Sequence, residues 1–314
     1  MKNADRDQQP RPPLTRTLCQ STFPRVNVPR AASVQRPQSK PKLGQHFLDS
    51  TDAATRIVDG LGDISQSTVL EIGPGRGILT NLLARRARRL IAVELDRVLA
   101  AQLRLQFSMA RNVEIIEGDV LAIDFDSLFG PKPGLSRPGI EIKPEAIKVV
   151  GNLPFYITSD ILLRLFKYSR YFGSMVIMVQ REVADRIAAE PGGSEYGLLS
   201  ATAQLNARVE KLFTLPPDAF VPPPKVHSTV LRLTIDPQQE KLGVAGDGFI
   251  DFLRLSFAQK RKTLWNNLKG AYDEAALKRA LAEAKVKATV RAETLSLKQS
   301  AAVFRALRPA KSRS

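Results

Sequence analysis

The sequence predicts an α/β fold: a mostly parallel β-sheet covered by helices on both faces, followed by a smaller all-helical domain. Three observations predict it. From residue 41 onward, short apolar runs alternate with helical segments. A glycine-rich turn, Gly73-Pro74-Gly75-Arg76-Gly77, stands between one such run and the helix after it. Residues 248–307 show helical periodicity alone. Short apolar strands alternating with helices form parallel sheets buried on both faces.

Residues 1–40 are rich in Pro, Arg, Ser, Thr and Gln and lack apolar periodicity. They cannot bury enough surface to offset chain entropy, and disorder is expected there. Their arginines also allow an organellar transit peptide, against which stand Asp5, Asp7 and six prolines. Residues 50–62 place Ala54, Ile57, Val58 and Leu61 at helical spacing. The run 68–72 (TVLEI) reads as a strand, Ile78–Leu90 as a helix, and 89–94 (RLIAVE) as a second strand. Asp96–Gln106 follows as a helix, 112–116 as a third strand and 147–151 as a fourth. Ser159–Tyr168 is a helix and 174–180 (SMVIMVQ) a fifth strand. Four prolines and three glycines in 130–146 predict an exposed loop. Residues 226–235 (VHSTVLRLTI) follow a Pro-rich segment rather than a tight crossover, which suggests an antiparallel strand at the sheet edge. After a polar linker at 237–247, Ile250, Leu253, Phe257, Leu264 and Leu268 mark one helical face, with further helices over 273–284 and 295–307. The expected domains are thus 41–236 and 248–314.

The chain has 314 residues, 43% hydrophobic and 25% charged, as expected of a soluble globular protein of two domains. It has no apolar run long enough to cross a membrane and no apolar leader, so a cytoplasmic protein is expected. A single cysteine, Cys19, excludes an internal disulfide and a Cys-based zinc site. Two distant histidines, His46 and His227, argue against a His-rich metal centre and a Ser-His-Asp hydrolase. No metal is expected. The net charge is +16, and its placement is uneven. Residues 1–40 hold 8 Lys/Arg and 2 Asp/Glu, residues 41–250 hold 24 of each, and residues 251–314 hold 15 and 5. A balanced body with basic ends suits a polyanionic partner, nucleic acid above all; the plainer reading is a solvated surface.

The turn in EIGPGRG (71–77) lacks Cβ atoms where a ligand would approach the backbone, and the helix start adds free N–H donors. Glu94 ends the next strand, 21 residues after Gly73, where a carboxylate can receive a ribose diol. Asp119, in GDV after the third strand, could accept from an adenine amine. The glycines are spaced GxGxG, and the turn alone leaves NAD and S-adenosylmethionine both open. The plainer reading makes the glycines a tight turn and the acids helix caps.

Residues 151–156, GNLPFY, resemble the Asn-x-Pro-aromatic motif of amino-group methyltransferases. An adenine exocyclic amine is a poor nucleophile because its lone pair is delocalised into the ring. Two acceptors can hold its hydrogens: the Asn152 side-chain oxygen and the Leu153 carbonyl. Pro154 stiffens the turn, and Phe155 can stack on the base. No strong base is needed, because the methylated product cation loses its proton readily.

The whole set of motifs resembles the ribosomal RNA adenine dimethyltransferases, most closely those of the small-subunit (16S) RNA. The motifs are KLGQHFL (42–48), VLEIGPGRGILT (69–80), VELD (93–96), GDV (118–120), GNLPFYI (151–157), QREVADRI (180–187), AFVPPPKVHS (219–228) and FAQKRKTL (257–264). The resemblance implies a Rossmann-like class I methyltransferase domain using S-adenosyl-L-methionine, with a smaller all-helical C-terminal domain. It implies cofactor contacts at His46, Leu48, Gly73, Glu94, Asp119 and Asn152. It implies a target-base pocket at Asn152, Leu153, Pro154 and Phe155, with Phe220 as a second aromatic wall. The family motif usually has Tyr where this chain has Phe155; stacking survives the change, a hydroxyl hydrogen bond does not, and activity is expected to be retained. The implied reaction methylates two adjacent adenosines in a small-subunit rRNA hairpin, twice each, in pre-ribosomal particles, by a monomeric enzyme. Lys225 and Lys260-Arg261-Lys262 are candidate phosphate contacts. The competing expectations are a large-subunit rRNA methyltransferase and a non-catalytic assembly or transcription factor of the same fold.

Overall fold

The structure, a computed structural model, describes residues 46–130, 147–244 and 248–307. The expectations for residues 1–40 and for most of the 130–146 loop lie outside the described residues. The order of elements is β1 (Phe47–Leu48), α1 (Thr51–Asp59), β2 (Thr68–Ile72), α2 (Ile78–Arg86), β3 (Arg89–Glu94), α3 (Arg97–Gln106), β4 (Val113–Glu117) and α4 (Phe125–Phe129). Then come β5 (Ile147–Asn152), α5 (Thr158–Lys167), β6 (Ser174–Gln180), α6 (Arg181–Ile187), α7 (Leu198–Asn206), β7 (Ala207–Leu215), β8 (Phe220–Val221) and β9 (Ser228–Ile235). The C-terminal part is helical: α8 (Gly248–Ser256), α9 (Leu264–Leu268), α10 (Glu274–Glu283) and α11 (Leu297–Leu307).

A seven-stranded sheet runs in the order β4-β3-β2-β5-β6-β9-β7. Strands β2 to β6 pair in parallel, whereas β9 is antiparallel to both β6 and β7. The antiparallel sense of the late strand is as expected, but its edge position is not: β9 is interior and β7 forms the edge. β7 escaped notice because Arg208, Glu210 and Lys211 break its apolar run and its register shifts between Lys211 and Phe213. Charges and irregularities of this kind protect an open edge from pairing with other chains.

α2 ends at Arg86, short of the expected Leu90. The Asn112 side-chain amide donates to the carbonyls of Ala84 (2.9 Å) and Ala87 (3.0 Å), so the helix end is satisfied from a distant loop. Leu90 is then free to enter β3, where it is fully buried. α1 and α2 bury Ile57, Val58 and Leu83 on one face of the sheet with Val69, Leu90 and Val150. On the other face α4 and α5 bury Phe125, Leu162 and Leu165 against Leu70, Ile91 and Val149. A third cluster joins Phe249, Phe252, Leu253, Leu277 and Phe304 to Tyr196, Ala201 and Leu205 at α7. The helical face expected to run from 250 to 268 divides into α8 and α9, and Lys260, Arg261 and Lys262 occupy the connection. The stretch expected as a linker is tied to α7, with Gln238 N–H donating to the Leu205 carbonyl (2.9 Å) and Val244 buried.

Strand order reverses between β2 and β5, and such a switch point opens a crevice at the carboxyl ends of the strands. Gly151 permits the close approach there. A Cβ at 151 would lie 2.4 Å from the Ile72 carbonyl oxygen of β2. Gly151→Ala is therefore expected to push the two strands apart and to cost roughly 1–3 kcal/mol of stability, as overpacked cores do. Urea titration checks this, and an unmoved midpoint would contradict it.

Candidate active site

At that crevice, past the ends of β2, β3, β4 and β5, lies a cavity of about 410 Å³. Its lining brings together His46, Leu48, Gly73, Glu94, Asp119, Asn152, Leu153, Pro154 and Phe155. Of the site residues expected from sequence, only Phe220 does not line it. Phe220 is buried, pairs with Leu48 across the two-stranded β1–β8 clip, and packs in the cluster on the α1–α2 face.

The glycine turn crosses the top of β2. Gly73 and Gly75 have φ of +67° and +58°, in the left-handed region. A Cβ at Gly75 would lie 2.9 Å from the Phe47 ring, so β1 lies directly on the turn. Arg76 then stacks its guanidinium over the same ring at 4.6 Å, a cation–π contact.

Glu94 is 4% exposed and does not cap a helix; Asp96 does, accepting from Val98 N–H (2.8 Å) and Leu99 N–H (3.1 Å). Glu94 Oε2 accepts from Gly75 N–H (3.0 Å) and Oε1 from Asp96 N–H (2.9 Å). The carboxylate is thus fixed by backbone amides. A carboxylate offers about four acceptor positions, so about two remain, enough for a pair of vicinal hydroxyls. Asp119 Oδ1 accepts from Leu121 N–H (2.9 Å), and among the described residues its second oxygen has no donor.

Asn152 ends β5. Its Nδ2 donates to the His46 carbonyl at 3.1 Å. A carbonyl only accepts, which settles which end of the amide faces it. Oδ1 is left as an open acceptor, and among the described residues nothing donates to the Leu153 carbonyl either. The Pro154 carbonyl, by contrast, is taken by the Thr158 hydroxyl (2.8 Å) and Ile157 N–H (3.3 Å), which fixes the turn. His46 holds the other side. Its Nδ1 lies 2.8 Å from the Pro222 carbonyl and must carry a hydrogen there. Its ring stacks on Phe155, with centroids 5.8 Å apart and planes at 26°. Two open acceptors and a stacked aromatic pair on residues of one cavity are the groups needed to orient a flat amine and its ring.

Sequence reasoning missed Phe47, Arg76, Leu95 and Tyr156, which also line the cavity, and the Pro222 carbonyl that orients His46. It also missed Glu71. This carboxyl, on β2 below the turn, is wholly buried, and among the described residues neither oxygen has a hydrogen-bond partner. Burial pushes its pKa up to about 8; the nearby Thr80 hydroxyl tempers the rise without reaching hydrogen-bond geometry, and the Glu94 charge adds to it. The folded state therefore keeps a proton that the unfolded chain releases near its ordinary 4.5. The resulting stability is fully present below about pH 4.5 and is lost as pH rises towards 8, by about 1.4 kcal/mol per pH unit. Glu71→Gln removes the titration. Melts of both proteins are expected to show wild type losing several kcal/mol relative to the variant across that window; parallel pH curves would contradict this.

A model of the family described as ribosomal RNA adenine dimethylase matches residues 36–308. A protein of Koribacter versatilis called ribosomal RNA small subunit methyltransferase A is 56% identical over 273 residues, 87% of this chain and 96% of its own length. Its namesake in Acidobacterium capsulatum is 55% identical, over 85% and 91% of the two chains. The crystal structure of a dimethyladenosine transferase from Plasmodium falciparum aligns with a TM-score of 0.64 at 24% identity, over 83% of this chain and 96% of that one. The 23S rRNA methyltransferase ErmE aligns with a TM-score of 0.58 at 24% identity, over 83% and 99%. These two likenesses establish the fold, a Rossmann-like methyltransferase sheet with added C-terminal helices. The match over nearly the whole described chain, and the relatives above half identity, make the chain a member of the ribosomal RNA adenine dimethylase family of methyltransferases.

Proposed function

We propose that the protein transfers methyl groups to the N6 amines of two adjacent adenosines in a hairpin near the 3′ end of small-subunit (16S) rRNA, twice per base, during ribosome assembly. One observation carries the reading: Asn152 and Leu153, whose side-chain Oδ1 and carbonyl have no donor among the described residues, line the cavity at the switch point together with Phe155. The names of the two bacterial relatives support the choice of the small subunit.

The donor is S-adenosyl-L-methionine, which when bound supplies an electrophilic methyl group on a positively charged sulfur. The residues present fit it. In this reading Glu94 receives the ribose hydroxyls on its spare lone pairs, Asp119 the adenine amine, and His46, Leu48, Gly73 and Asn152 complete the cradle. Asn152 and Leu153 each accept one hydrogen of the target amine, so that its lone pair faces the methyl group. Phe155 holds the base by stacking, worth roughly 1–3 kcal/mol. Phe220, buried beside Leu48 in the clip, supports the cavity wall from behind and does not touch the base. Orientation of this kind can supply about 7–11 kcal/mol of the barrier. No side chain is needed as a strong base, because the methylated nitrogen sheds its proton to water.

The target adenine must leave its stack, at a cost of a few kcal/mol that is smaller in a hairpin loop. Residues 41–236 carry the chemistry, 237–247 connect, and 248–314 hold the RNA. Arg261, Lys262, Lys269 and Lys225 are exposed and, among the described residues, lack ion pairs. Lys260 already donates to the Ser194 carbonyl. No described helix is long and apolar enough to cross a membrane. The protein acts as a cytoplasmic monomer in this reading. Incubation with labelled cofactor and small subunits lacking the modification is expected to leave dimethyladenosine in the digested 16S RNA. Label in large-subunit RNA alone, or none, would overturn the assignment.

A further inference from the structure

We propose that Tyr156 determines how the RNA is held: its exposed ring is the stacking platform for the base next to the flipped adenine. The inference rests on the site being that of an RNA adenine methyltransferase. Successive residues of one turn have different fates. Phe155 is stacked on His46, whereas Tyr156 lines the same cavity yet is 60% exposed. Its backbone is not loose, because the Pro154 carbonyl on one side is held by the Ile157 N–H and the Thr158 hydroxyl. Among the described residues the Tyr156 ring has no aromatic or cationic partner, and its hydroxyl has no hydrogen bond. Folding thus holds a large, mostly exposed aromatic ring at the mouth of the cavity.

The chemistry of the surface indicates its occupant. Leu95, 49% exposed after β3, also lines the cavity, and these are the two of the large exposed hydrophobics that do. One ring and one aliphatic side chain are too small an apolar area for a protein or lipid partner, which calls for a patch of a few hundred Å². The Tyr156 ring alone matches the face of a single base. Extruding an adenine strips its neighbour of a stacking partner, and an aromatic ring beside the entrance replaces it.

The test uses the full chain, S-adenosylmethionine, and small ribosomal subunits lacking dimethyladenosine. Tyr156→Ala is expected to raise KM for the subunits about tenfold or more, with kcat changed less than about threefold and cofactor affinity by calorimetry unchanged. Tyr156→Phe is expected to restore the low KM, and Tyr156→Leu to fail, since stacking needs a ring and not a hydroxyl. Wild-type KM in Tyr156→Ala, rescue by Leu as good as by Phe, or a parallel loss of cofactor affinity would each overturn the platform. If wild-type protein itself forms no dimethyladenosine, the underlying reading falls and takes this proposal with it, so the two failures are told apart.

Discussion

Asn152→Ala is expected to lose methyl transfer by roughly 10²–10³-fold in kcat or more, the scale of removing one preorganised hydrogen-bonding group at a reacting centre. Binding of RNA is expected to stay nearly intact, because the basic surface that attracts phosphates is elsewhere. The size of the effect follows from two losses at once. The open Oδ1 acceptor disappears, so one hydrogen of the amine is unheld and the lone pair is free to delocalise into the ring π system. The 3.1 Å bond from Nδ2 to the His46 carbonyl also goes, and with it one tie between β5 and the β1–β8 clip. Asn152→Asp separates these. It keeps an acceptor for the amine but sets an oxygen against the His46 carbonyl. Both variants are expected to be nearly inactive, and Asp should weaken cofactor binding more than Ala, because it adds repulsion where Ala only removes a contact. Single-turnover rates with saturating RNA check this; normal turnover in the alanine variant would remove the proposed grip on the amine.

Glu94→Ala is expected to weaken cofactor binding about 10²–10⁴-fold, from two hydrogen bonds to a charged group at about 1.5–3 kcal/mol each. The same change leaves the N–H groups of Gly75 and Asp96 without their acceptor in a nearly dry setting, so the melting temperature should fall as well. Glu94→Gln keeps the shape. Its amide nitrogen must meet one of those two N–H groups, donor against donor, so it too should bind poorly. The methylated cofactor and its demethylated product share the ribose, and both are expected to lose affinity equally. Titration calorimetry with each ligand checks this. A preserved affinity in the glutamine variant would show that Glu94 shapes the turn without holding the sugar.

What could be read from the chain was local. TVLEI, the glycines and RLIAVE put a strand, a turn and an acid in an order that only one sheet edge accommodates, and GNLPFY carried its own chemistry. The structure brings these residues to one cavity because Ile72 and Gly151 are register partners across the switch point. What could not be read depends on pairs far apart in sequence. Asn112 ends α2 from another loop, so the helix looked longer than it is. His46 meets Pro222 and Asn152 across the fold, and no spacing announces that. β9 was misplaced to the edge because the charged, irregular β7 outside it did not read as a strand. Glu71 looked like part of a glycine motif, and only its burial makes it a carboxyl that holds its proton.

In the proposed reaction this turn grips a flipped adenine from two sides. A crystal structure of the protein with S-adenosylhomocysteine and the small-subunit hairpin tests it most directly. In that complex the adenine N6 is expected within about 3.2 Å of both Asn152 Oδ1 and the Leu153 carbonyl oxygen, with Phe155 parallel to the base. An adenine bound elsewhere, or an Asn152 side chain turned out of the cleft in that complex, would contradict it.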